Sequence, residues 1–165
     1  MTQVLVILLA VLIGVVAGLR AMTPPAVVAW GAMLGWLDVD GRWSEWVAHP
    51  ITVTVLSILL VAELVTDQLP KTPSRKTTVQ FATRLITGAF AGAVIGSAWH
   101  HTFIAIGGGI IGAVLGTLGG YEARSRLVAA NGGKDLPVAL AEDAIAVLGG
   151  FGIVALASTF PPFAG

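Results

Sequence analysis

The chain has 165 residues, 56% of them hydrophobic and only 11% charged, with a mean hydropathy of +0.89. A soluble domain keeps its surface wet with about 25% charged residues, so the solvent expected for most of this surface is lipid. The formal net charge is zero, which argues against a nucleic-acid partner, and the absence of cysteine excludes thiol catalysis, disulfides and cysteine-ligated metals.

Six apolar stretches predict an all-α, polytopic transmembrane bundle in a single domain, with spans near 4–20, 22–37, 50–66, 79–99, 102–122 and 137–160. Crossing the ~30 Å hydrocarbon layer takes about 20 such residues. The first stretch precedes the first cation, Arg20, and so is expected to be a retained helix rather than a signal peptide. The second is short and begins at Pro24-Pro25, where proline is tolerated in a first helical turn; a re-entrant segment is the alternative. The fifth carries no charge from Thr102 to Tyr121.

With six spans, Arg20, Lys71, Arg75, Lys76, Arg84, Arg124, Arg126 and Lys134 fall on one side and Arg42 alone on the other. The positive-inside bias then puts the basic loops in the cytoplasm and both termini outside, with Trp36, Trp43, Trp46 and Trp99 near the outer interface. The basic loop Lys71–Lys76 suits anionic lipid of the inner leaflet.

Glycines recur every four residues at Gly88, Gly92 and Gly96 and again at Gly108, Gly112, Gly116 and Gly120; Gly14 and Gly18 repeat the spacing in the first helix. Small residues on one face let helix backbones approach closely in lipid. Helices four and five are expected to form a tight antiparallel hairpin, with a homo-oligomer face or a pore lining as alternatives. Segments 63–96 and 122–155 share an order of acidic helix end, polar loop and charged entry into a Gly-rich helix, a faint internal repeat of the kind found in transporters.

Charges at Arg20, Glu63, Asp67, Arg84, Glu122, Arg126, Glu142 and Asp143 stand in or beside apolar segments, all at the cytoplasmic helix ends. Near a helix centre each costs roughly 2.5–3.5 kcal/mol on insertion scales, which favours pairing. Arg84 opposes the dipole at the start of the fourth helix, so an acidic partner is expected for it, Glu63 or Glu142. The cluster is either a clasp between helix ends or a polar, cytoplasm-facing pit for an ion, proton or anionic solute. His49, His100 and His101, on the outer side with Asp38, Asp40 and Glu45, are candidate zinc ligands, but no helical spacing supports a site. No catalytic triad, phosphate loop or paired-carboxylate motif points to an enzyme, and no cofactor is expected.

Gly18-Leu19-Arg20 with Pro24, Ala62-Glu63-Leu64, the turn Asp67-Gln68-Leu69-Pro70, Arg84 ahead of Gly88, and Ala141-Glu142-Asp143 together resemble a bacterial membrane-protein family of unassigned activity, the domain of unknown function 4126. The resemblance covers most of the chain and implies the bacterial inner membrane. Thr77-Thr78 and Leu85 stand where the family pattern has a His-Thr pair before the arginine and a proline after it. The expectation from the whole sequence is a small transporter- or channel-like protein, in contact with lipid and assembled as a homo-oligomer; a non-transporting scaffold or assembly subunit is the alternative.

Overall fold

The computed structural model describes residues 1–67 and 77–160. The basic loop 71–76 and the Gln68-Leu69-Pro70 part of the acidic turn lie outside the described residues. Six helices follow one another: α1 (Gln3–Leu19), α2 (Thr23–Met33), α3 (Pro50–Thr66), α4 (Thr78–Ala98), α5 (Thr102–Ala130) and α6 (Asp135–Ser158). There is no strand among the described residues, which bears out the helical bundle. Helices α4, α5 and α6 are long and apolar enough to cross a membrane, and α1 and α3 are shorter apolar helices.

Helix α2 differs from the expected span. It has 11 residues, a rise of only about 16 Å. It stops because Gly35 takes a left-handed φ of +73°, and the amides of Gly35 and Trp36 turn back to the carbonyls of Ala32 (3.1 Å) and Gly31 (2.8 Å). That is a helix-terminating glycine motif, which needs no side chain at the reversed residue. The chain beyond it returns to the bundle and buries Leu37, Val39 and Val47 before α3 starts at Pro50.

The glycines set the core. A Cβ on Gly92 or Gly109 would run into the backbone of the facing helix, at Ala105 and Gly88 respectively, and Gly96 meets Ala105 and His101. These contacts make α4 and α5 the expected hairpin. The second glycine stripe packs elsewhere. Gly108, Gly112 and Gly116 face α1 at Ile7, Ala10, Val11 and Val15, while Gly14 and Gly18 of α1 meet Gly109, Ala113, Gly116 and Thr117 of α5. Helix α5 therefore serves two neighbours with two adjacent faces, and both stripes are consumed within one chain. Gly120, at the same spacing, is only half-buried.

Around the α1–α4–α5 core stand α2, α3 and α6. Helix α3 buries a single residue, Val53, and a Cβ on Gly149 or Gly152 of α6 would meet nothing within 4 Å. At the end opposite the charges, Trp43 and Trp46 are exposed, but Trp99 is a core side chain rather than an interfacial anchor. Ser44 and Ser97 share a 2.6 Å hydrogen bond there, and Arg42 donates to the His100 ring at 2.9 Å.

Substitution tests this packing. Gly112→Ala is expected to cost about 1–3 kcal/mol, as overpacking of a tight interior does. Gly119→Ala, whose Cβ enters open space, is expected to change stability by less than about 1 kcal/mol. Denaturant titration of both variants in one detergent measures the difference.

Candidate functional site

The chain breaks between α1 and α2, and the break organises the charges. Arg20 is extended (φ −140°, ψ 117°) and ends α1, so the carbonyls of the last α1 turn and the amides of Ala21 and Met22 leading into α2 need partners from other helices. Both sets find a charged one. The Arg84 Nη1 of α4 donates to the carbonyls of Gly18 and, at 3.1 Å, Leu19. The Glu63 carboxylate of α3 accepts the amides of Ala21 at 2.6 Å and Met22 at 2.8 Å. A cation at a helix C-terminus and an anion at an N-terminus are each favoured by the helix dipole. Arg84, for which Glu63 or Glu142 is the expected acidic partner, donates to backbone carbonyls, and its charge also acts on Glu63 across the junction.

Arg20 itself is 0% exposed and ties three helices together. Its Nε donates to Asp143 of α6, its Nη1 donates to Asp67 at the end of α3 at 2.6 Å, and its Nη2 stands 3.8 Å from Glu142 of α6. Nη2 is buried without a hydrogen-bond acceptor, as is the hydroxyl of Thr23 at the start of α2. Arg124 of α5 extends the cluster towards solvent. It grips Asp135 with two bonds of 2.9 and 2.6 Å and reaches Glu142 at 3.2 Å.

Six of the eight expected site residues, Arg20, Glu63, Asp67, Arg84, Glu142 and Asp143, are brought together. Glu122 and Arg126 are not: they pair with each other at 2.8 Å, one turn apart on the exposed side of α5. Pairing of that kind has no counterpart at Glu63, so the proposed repeat of segments 63–96 and 122–155 does not extend to the roles of their acids. Arg124 and Asp135 were missed by sequence reasoning. A signal existed, since Arg124 is two residues before Arg126 and therefore points about 200° away from it around the helix.

Glu63, Asp67, Asp135, Glu142 and Asp143 thus meet Arg20, Arg84 and Arg124 at this end of the bundle. Such a cluster can bind a proton or a small cation, and it can hold helix ends together. The outer histidines are scattered: His49 caps α3 at the Ile51 amide, His100 lies on Arg42, and His101 precedes α5. No three His, Asp or Glu side chains among the described residues gather as a metal cage.

If Glu63 caps α2, Glu63→Ala is expected to lower the unfolding free energy by about 2–4 kcal/mol, since it removes two hydrogen bonds to a charged acceptor. Glu63→Gln, which offers one acceptor oxygen, falls between. Glu122→Ala, in an exposed pair, is expected to change it by less than about 0.5 kcal/mol. Urea or SDS titration of the purified variants distinguishes the three.

No curated protein and no solved structure matches the chain. The family model described as Domain of unknown function (DUF4126) matches residues 7–165, from the second turn of α1 to the last residue. Its span takes in every member of the charged cluster, and the chain belongs to that family.

Proposed function

We propose that this membrane protein is a small transporter- or channel-like protein that handles a proton or small cation at the cluster around Arg20. The observation that carries the reading is the convergence of Asp67 of α3 and Glu142 and Asp143 of α6 on the fully buried guanidinium of Arg20. The α1–α4–α5 core is locked backbone against backbone by its glycines, whereas α3 buries one residue. Transporters commonly place their ion sites where a discontinuous helix meets a junction between two such layers, because one layer can rock against the other around it.

The site is also recessed. Arg84 is the seventh residue of α4 and Glu142 the eighth of α6, so both helices continue about 9–10 Å beyond it. The lysine and arginine bias orients this vestibule to the cytoplasm of a bacterial inner membrane, with both termini outside.

A scaffold or assembly subunit is the second reading, favoured by the open faces of α3 and α6, which offer apolar surface to lipid, a partner or a second copy. Reconstitution separates the two. Liposomes containing the protein and an internal pH dye are challenged with a pH, Na⁺ or K⁺ gradient. Transport predicts dissipation above that of empty liposomes, and its loss in an Asp67→Asn preparation that melts lower but still elutes as the folded protein. Equal leakage with and without the protein for all three gradients sinks the transport reading and favours the scaffold.

A further inference from the structure

A groove between α2 and α3 takes no part in the charged cluster. It runs between Trp30 and Met33 of α2 and the stretch of α3 from Pro50 to Val61, and it encloses about 480 Å³. We propose that this groove is a lipid site, which takes one acyl chain of a phospholipid from the leaflet opposite the charged cluster. The inference is independent of the ion-handling reading.

The chemistry of the lining selects a hydrocarbon occupant. Three of its side chains, Trp30, Thr54 and Ser57, carry a hydrogen-bond donor, and each donor is spent inside the protein. The Trp30 indole Nε1 donates to Ser57 Oγ at 2.9 Å, Ser57 Oγ donates to the Val53 carbonyl at 2.7 Å, and Thr54 Oγ1 donates to the Pro50 carbonyl at 2.8 Å. The other side chains of the lining are apolar. A polar solute would lose its hydration there without replacement, which is costly, whereas a hydrocarbon chain has no hydrogen bonds to lose.

The dimensions select an acyl chain among hydrocarbon occupants. From Pro50 to Val61 the groove follows α3 for about 16 Å, close to the depth of one leaflet in a hydrocarbon layer ~30 Å thick. Its Pro50 end lies where the exposed tryptophans are. Thr52 Oγ1 donates to the Trp46 carbonyl at 3.0 Å, and Trp43 and Trp46 are both exposed. Tryptophan is enriched at headgroup level, so the groove starts at the interface and runs inward, as an acyl chain does. A helix from a second copy or from a partner is about 10–12 Å across with its side chains, too broad to seat in about 480 Å³ drawn out over that length.

The fold also has a use for the occupant. Helix α3 buries Val53 alone and meets α2 through the Trp30–Ser57 bond. Beyond that bond α2 continues to Met33, whereas α3 continues to Pro50, so α3 outruns α2 by about 6 Å. A chain lying in the groove touches both helices and adds dispersion contacts where the protein itself supplies few. Because α3 carries Glu63 and ends at Asp67, the lipid that seats α3 also bears on where those acids stand.

Photolabelling tests the assignment. The full chain is reconstituted in vesicles of phosphatidylethanolamine and phosphatidylglycerol, with a small fraction of phosphatidylethanolamine carrying a diazirine in its acyl chain. After irradiation, adducts are mapped by peptide mass spectrometry. The expected yield between Pro50 and Val61 is several-fold that at Leu148, which faces outward from α6 with no groove beside it. It should saturate as the probe fraction rises, while labelling of Leu148 grows in proportion. Thr54→Phe, whose ring fills the groove, should reduce groove labelling to the Leu148 level. Val55→Phe, at the neighbouring exposed position outside the lining, should leave it unchanged. Groove labelling that matches Leu148 and never saturates means passing lipid only, and overturns the proposal; so does labelling that survives Thr54→Phe. If Thr54→Phe does not fold, saturation in the wild type decides the matter. A second copy is detected with Ile58→Cys, since the chain has no cysteine of its own. Rapid disulfide dimerisation in the same vesicles, with the groove unlabelled, shows that another chain covers it and the lipid assignment is wrong.

Discussion

Helix ends inside an apolar medium leave carbonyls and amides that water cannot reach, and this fold contains such a pair of ends between Leu19 and Thr23. Satisfying them takes an arginine from α4 and a glutamate from α3, each matched in sign to the dipole it meets. Those two contacts fix where α3 and α4 stand relative to the break. Arg20, the residue at the break, is thereby held in the interior, and its own charge then calls for Asp67 and Asp143. The whole polar cluster follows from one interrupted helix.

The division of the bundle into two layers has a separate cause. In lipid, apolar surface gains little by turning inward, and close backbone approach supplies the packing energy instead. Helices α1, α4 and α5 carry the glycines that permit it, and their carbonyls and Cα atoms fill the space a side chain would need. Helix α2 packs against α6, where Gly31 faces Val154 and Gly150 faces Val27, while α3 and α6 present Ile58, Val61, Ile145 and Leu148 outward. Arg20, at the end of α1, supplies connections from this core to α3 and α6.

Buried ion pairs are a poor source of stability, because desolvating both partners offsets much of their attraction, yet losing one partner is costly. Arg20 is fully buried and reaches Asp67 and Asp143 on two other helices, so loss of either acid would leave its charge poorly compensated in the interior.

Hydropathy and glycine spacing in the sequence determined the helical membrane character, the number of helices, the α4–α5 hairpin and six of the charged residues that meet, because each is encoded by local composition or by charges too costly to leave in lipid. The early end of α2 was also written locally, in Gly35, but a lone glycine after an apolar run is common, and the reversal is certain only with its two hydrogen bonds in place. Only the tertiary structure decided that the α5 glycines serve α1, that Arg84 donates to the carbonyls ending α1, and that Arg124 belongs to the cluster while Arg126 does not. Each of these depends on which helix lies beside which, and on the rotation of each about its axis. Periodicity along a single helix gives its faces but not the neighbour that each face will meet.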